Sequence, residues 1–171
     1  MNELESYIRN IPDFPKPGIQ FKDITPLLAN PEAFSEAIRR MINPFEQQSI
    51  TKVLGIEARG FLFAAPIAMH VNAGIVPLRK PGKLPYSIIS HTYDLEYGTD
   101  TIEMHQDAIS GDDRILIVDD LLATGGTVGA AVKLAESTGA TIVGIAFLIE
   151  LEFLNGRKKI NGYPVHSLVK F

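Results

Sequence analysis

The residues best suited to chemistry form one continuous string, Ile115-Leu116-Ile117-Val118-Asp119-Asp120-Leu121-Leu122-Ala123-Thr124-Gly125-Gly126-Thr127. An apolar run meets two acids, then a turn of small and hydroxyl residues, then a helix-forming stretch. Residues 123–127 can wrap a phosphate: small side chains let the backbone approach, several N–H groups converge, and the helix start adds positive potential. Thr124 and Thr127 can add hydroxyl donors. A phosphate held there leaves Asp119 and Asp120 placed to accept from the vicinal diol of a sugar. Each element alone reads better as a capped helix start with solvated acids. Together, directly after an apolar strand, they point to a phosphorylated ribose. No lysine followed by serine or threonine succeeds the glycines, so this is not the nucleoside-triphosphate loop. Gly125, Gly126 and Gly129 do not give the dinucleotide spacing either.

Such a loop needs a sheet to hold it, and the chain supplies one. Residues 53–56, 74–78, 114–118 and 141–148 are short, nearly continuous Ile/Val/Leu strands, with helices expected over about 60–71 and 125–138. Alternation of this kind indicates an α/β fold, a parallel sheet covered on both faces. Ligands then sit off the carboxyl ends of the strands, at residues 57–60, 79–83 and 119–127. Upstream, a helix is expected over about 3–11. The two prolines of Phe14-Pro15-Lys16-Pro17-Gly18 forbid one there. Asn30-Pro31-Glu32 offers an N-cap, a first-turn proline and an acid for a helix to about residue 42. Residues 83–112 are polar with few strong apolar anchors. Part of them is expected to form a hairpin turning near Tyr97-Gly98-Thr99-Asp100, and a polar insertion of this length is more often a lid than a plain connector.

With 171 residues and no repeat or linker, one domain spanning 1–171 is expected. The net charge of −4 argues against general nucleic-acid binding. The absence of cysteine removes disulfides, thiolate metal sites and thiol nucleophiles. The polar start resembles no signal peptide, and the longest apolar stretch, 60–69, is too short to span a bilayer. A cytoplasmic protein with no membrane partner is expected. His70, His91, His105 and His166 show no metal-ligand spacing and read as structural or surface residues.

Residues 118–127 resemble the phosphoribosyl-pyrophosphate loop of the type I phosphoribosyltransferases, and their wording is similar to that of the members acting on adenine. The likeness covers most of the chain. Asp13-Phe14-Pro15, Pro17-Gly18, Phe21 and Asp23-Ile24-Thr25-Pro26 resemble the N-terminal hood, here about residues 1–30. Ala58-Arg59-Gly60-Phe61-Leu62-Phe63 resembles the pyrophosphate loop. Arg79-Lys80 with Gly82-Lys83-Leu84-Pro85 resembles the next strand end, and Leu95-Glu96-Tyr97-Gly98 the catalytic loop within a lid of about 84–104.

The resemblance implies transfer of the phosphoribosyl group from phosphoribosyl pyrophosphate to adenine, giving AMP and pyrophosphate. It assigns the 5′-phosphate to Ala123, Thr124, Gly125, Gly126 and Thr127, and the ribose hydroxyls to Asp119 and Asp120. Pyrophosphate falls to Glu57, Ala58, Arg59, Arg79, Lys80 and Lys83, with a cis peptide implied at Glu57–Ala58. Adenine would lie against Phe21 and Leu151, its edge read by the Gln20 and Lys22 backbones. Glu96 is the implied acid/base, with Tyr97 and Arg59 assisting catalysis. Magnesium is implied as a cofactor held mainly by substrate and water, and a homodimer as the assembly. Three positions depart from the family's usual pattern. Lys22 replaces a common arginine, Gln20 a frequent apolar residue, and Glu57-Ala58 a frequent Asp-Ser pair.

Two rival readings stay open. A 6-oxopurine such as hypoxanthine or xanthine could replace adenine; Leu151 offers no donor for O6, but Lys170 and Lys22 are conceivable ones. A non-catalytic regulator sensing phosphoribosyl pyrophosphate is the other, although the chain has no spare length for a DNA-binding domain and lacks a net positive charge.

Overall fold

Val53, Leu54, Ile115–Val118 and Ile145–Leu148 are all buried to within 1% of full enclosure, because the strands that carry them lie at the centre of a sheet with both faces covered. In the computed structural model, which describes residues 3–94 and 98–171, that sheet has five parallel strands in the order β4-β3-β7-β8-β9. They are β3 (Lys52–Ile56), β4 (Gly74–Leu78), β7 (Arg114–Leu122), β8 (Thr141–Glu150) and β9 (Val165–Lys170). Two antiparallel pairs stand apart: β1 (Arg9–Pro12) with β2 (Gln20–Asp23), and β5 (Ile88–Asp94) with β6 (Thr99–His105). The helices are α1 (Thr25–Ala29), α2 (Pro31–Ile42), α3 (Gly60–His70) and α4 (Gly126–Ser137).

Strand alternation divides the core. Val53, Leu116, Val118, Ala146 and Leu148 face α2 and α3, which contribute Ile38, Met41, Phe63 and Ile67. Leu54, Ile115, Ile117, Ile145 and Phe147 face α4 together with Ile102 and Met104 of β6. The expected cap of α2 forms: the Asn30 side chain accepts from Ala33 N–H at 2.9 Å, with Pro31 in the first turn.

Three sequence expectations change. Residues 3–11 are not a helix; a short helical turn at Glu3–Tyr7 gives way to β1, where Ile11 pairs with Phe21. Nine residues hold an isolated helix poorly, and pairing with β2 wins. Strand β7 does not stop at Val118 but carries both acids on to Leu122, and β8 likewise reaches Glu150. The polar segment after Lys83 does form a hairpin, but β6 is firmly anchored. Ile102 and Met104 are 1% and 0% exposed, and Arg79 and Glu103 exchange backbone hydrogen bonds at 2.9 and 2.8 Å.

Candidate active site

Every strand of the parallel sheet ends on the same side, so the segments following β3, β4, β7 and β8 converge there. The phosphate cradle follows β7 directly. Its cavity, about 70 Å³, is lined by Asp119 and residues 121–128 and has room for a small tetrahedral anion. Gly125 makes the cradle possible in two ways. Its φ of +78° is one that side-chain-bearing residues avoid, and a Cβ there would collide with the Gly156 carbonyl. The turn after β8 thus packs backbone to backbone against the loop.

That turn is pinned by a pair of residues that the sequence reading missed. Glu150, 4% exposed, receives two hydrogen bonds from Arg157, Nε and a terminal nitrogen each at 2.6 Å. Arg157 also donates to Val165 O at 3.2 Å and Ser167 Oγ at 3.4 Å. These bonds hold the Glu150 carboxyl below the usual carboxylate range despite burial. The signal was an acid closing a buried apolar strand, a placement that demands a partner.

The two aspartates sit under opposing influences. Gly60 lets the start of α3 close on β7; a Cβ there would lie 2.9 Å from Asp119 Oδ1. Asp119 Oδ1 accepts from Asp120 N–H at 2.9 Å. Burial, and next the Asp120 charge, push the Asp119 carboxyl well above its ordinary value. Burial also pushes Asp120 up, against the pull of Arg59. Arg59 Nε lies 2.9 Å from Asp120 Oδ2, but its N–H is not aimed at that oxygen, which has no hydrogen-bond donor among the described residues. Asp119 lines the cradle, and this acid pair gives a hydroxyl-bearing ligand carboxylate oxygens to donate to.

The basic residues after β4 are held by internal carboxylates. Glu57 accepts from Arg79 Nε at 3.2 Å, Lys80 N–H at 2.8 Å and Lys83 Nζ. Burial opposes ionisation of Glu57, yet these donors bring its pKa down to about 2. Lys80 Nζ is paired with Asp100 and lies 3.1 Å from Tyr93 Oη, which in turn lies 2.9 Å from Thr127 Oγ1. Tyr93 and Asp100, neither picked out as a site residue from sequence, thus join the hairpin to the cradle. The Glu57–Ala58 peptide is cis.

The Arg59 guanidinium lies beside Asp120 and 5.3 Å from the Phe21 ring centroid. Phe21 meets Phe14 edge-on at 5.2 Å. Gln20, Phe21 and Lys22 share β2, and Leu151 follows β8, its N–H donating to Leu122 O at 2.9 Å. Glu96 and Tyr97 lie outside the described residues. A cavity of about 380 Å³ beside Arg39, Asn43 and His166 includes none of the strand carboxyl ends and none of these groups. His166 is held there by a 3.1 Å contact with Arg40 O, and His70 by one of 3.0 Å with Glu46.

Over residues 23–168 the sequence matches the family described as a phosphoribosyl transferase domain. The chain belongs to that family. Among curated proteins, the adenine phosphoribosyltransferase of Nitrosococcus oceani is 53% identical over 171 residues, covering all of both chains. Among solved structures, that of adenine phosphoribosyltransferase from Rhodothermus marinus is 55% identical with a TM-score of 0.94, over 98% of this chain and 96% of that one. The Saccharomyces cerevisiae adenine phosphoribosyltransferase, solved with an imino-altritol bisphosphate and adenine, is 39% identical with a TM-score of 0.92, over 97% and 96%. A phosphoribosyl transferase fold accounts for the five-stranded parallel sheet and for the cradle at the end of its central strand.

Proposed function

We propose that this chain transfers the 5-phosphoribosyl group of phosphoribosyl pyrophosphate to adenine, giving AMP and pyrophosphate in purine salvage. The observation that carries the reading is the acid pair Asp119–Asp120 near the carboxyl end of β7, its first member lining a cradle sized for one phosphate. Residues 123–127 hold the 5′-phosphate, and Asp119 and Asp120 accept from the ribose hydroxyls. Fixing both ends of the sugar sets C1 between the base and the leaving group. The bond from C1 to pyrophosphate breaks as the bond from adenine N9 forms, and the departing oxygens take the electron pair. Arg79, Lys80 and Lys83 meet that charge, already oriented by Glu57 and Asp100. Glu57 and Ala58 shape the turn beneath them, and Arg59 stands between ribose and base. Glu96 takes the proton that adenine gives up at N7, and Tyr97 helps to seal the site. The hairpin of β5 and the anchored β6 covers the site from one side and residues of about 1–30 act as a hood, keeping water from the cationic sugar.

No three His, Cys, Asp or Glu side chains converge as a metal site among the described residues. Magnesium would accompany the substrate, bound by its oxygens and by water as suits an ion that keeps several waters, and would supply charge neutralisation for pyrophosphate.

Adenine fits better than a 6-oxopurine because both lysines available to O6 are engaged elsewhere. Lys170 Nζ is 2.7 Å from Glu152 Oε1, and Lys22 Nζ sits over the Phe171 ring. Leu62, Met69 and Ile75 expose 45, 84 and 44% of their surfaces along α3 and the edge strand β4, a face suited to a second copy in a homodimer. No described helix is long and apolar enough to cross a membrane. A cytoplasmic setting suits substrates whose phosphates keep them inside cells. Incubation with phosphoribosyl pyrophosphate, magnesium and adenine should give AMP and pyrophosphate in equal amounts. Tight binding of phosphoribosyl pyrophosphate with no product from any purine would instead favour a regulator.

A further inference from the structure

Lys22 Nζ lies 3.5 Å from the centroid of the Phe171 ring. No carboxylate lies within ion-pairing distance of Lys22 among the described residues; its neighbour Asp23 is committed to Arg9 and to the Thr25 N–H and hydroxyl. The aromatic face is therefore the ammonium's specific partner, an arrangement held by the ring quadrupole. The backbone of Phe171 is fixed in turn. Its N–H donates to Glu150 O at 3.0 Å, and its carbonyl accepts from Glu152 N–H at 2.9 Å. Those two bonds fall on either side of Leu151, and Leu151 and Phe171 pack against the same core cluster.

One side chain of β2 is thus tied to the segment that carries Leu151. Strand β2 pairs with the short strand β1, four residues facing four, and the chain just after it is anchored by Ile24, buried in the cluster that Leu151 packs against; Lys22 adds a side-chain tie from the strand itself to the Leu151 segment. Phe21, next to Lys22 in the strand, takes Arg59 and Phe14 as its ring neighbours. We propose that Lys22 and Phe171 form a cation–π strut that sets the spacing between β2 and Leu151, making both of them positioning residues for the purine. The inference rests on adenine lying between Phe21 and Leu151. It concerns the base alone: the phosphate cradle and the cations after β4 are built from other segments.

The test is steady-state kinetics with each substrate varied in turn, on folded variants matched by thermal unfolding. Phe171→Ala and Lys22→Met should each raise KM for adenine about fivefold to tenfold. KM for phosphoribosyl pyrophosphate and kcat should stay within about twofold. Phe171→Trp keeps an aromatic face under the ammonium and should lie at least threefold closer to the wild type than Phe171→Ala. Because the chain has no tryptophan, that variant carries a single tryptophan that can be excited selectively, whose emission should change when adenine binds and respond less in a Lys22→Met background. Equal rises in both KM values, or no rise in that for adenine, would overturn the strut. A wild-type protein that ignores adenine while using another purine would refute the base assignment itself, which separates the two failures.

Discussion

Removing Arg157 should cost the protein more than any exposed arginine, and the size of the loss can be worked from its contacts. Arg157 gives Glu150 two 2.6 Å hydrogen bonds, and the Glu150 side chain is only 6% exposed. Breaking a buried ion pair from one side leaves an uncompensated charge, typically at a cost of about 3–5 kcal/mol. The Arg157 side chain is 41% exposed, so water can reach the gap and the lower end, about 3 kcal/mol, applies to Arg157→Met. Glu150→Gln keeps one acceptor and should cost about 2 kcal/mol, in the range of hydrogen bonds to charged groups. Independent effects would sum to about 5 kcal/mol, but the double variant leaves no unpaired charge and should lose only about 3, a coupling near 2 kcal/mol. In a domain of this size, about 3 kcal/mol lowers Tm by roughly 6–12 °C. Urea unfolding of the wild type, both single variants and the double variant measures the cycle. Additive losses, or a loss under about 1 kcal/mol for Arg157→Met, would refute the clamp.

Gly125→Ala should raise KM for phosphoribosyl pyrophosphate at least tenfold and destabilise the fold by about 1–3 kcal/mol, since alanine meets both a left-handed φ and the Gly156 carbonyl; kinetics and unfolding check it. Asp119 is held above its normal pKa by burial and by Asp120, so its ionised form opposes folding at neutral pH. Asp119→Asn should therefore raise Tm, while weakening phosphoribosyl pyrophosphate binding at least tenfold by titration calorimetry. Glu57 behaves in the opposite sense. Its pKa falls from 4.5 to about 2, so its contribution is complete above pH 4.5 and disappears as pH falls towards 2. The shift corresponds to roughly 3 kcal/mol, which solvent around Lys83 and Arg79 reduces to about 1–2. The stability gap between wild type and Glu57→Gln should therefore be constant from pH 8 to about 5 and close below that.

The central strands and the cradle were legible because both are local. Apolar runs such as 53–56 and 115–118 bury on two faces wherever they pair, and 123–127 carries its small residues and hydroxyls in one string. Strand ends were less so. Asp119 and Asp120 look like a loop in sequence, yet the ladder with β8 carries β7 past them to Leu122. Residues 165–170, which join the sheet beside β8, lack the dense Ile/Val/Leu content of a central strand because they form its edge. Partnerships across long separations were invisible: Lys22 with Phe171, Tyr93 with Thr127, and Gly125 with Gly156 depend on the folded path. Glu57 was expected to face pyrophosphate, and its observed contacts are with the cations meant for it.

The most direct test compares kcat/KM for adenine, hypoxanthine, guanine and xanthine with saturating phosphoribosyl pyrophosphate and magnesium. A cradle for ribose 5-phosphate beside a base site whose two candidate O6 donors, Lys22 and Lys170, are engaged elsewhere predicts AMP from adenine, favoured at least a hundredfold over every 6-oxopurine. Comparable or better turnover of hypoxanthine, guanine or xanthine would contradict the account.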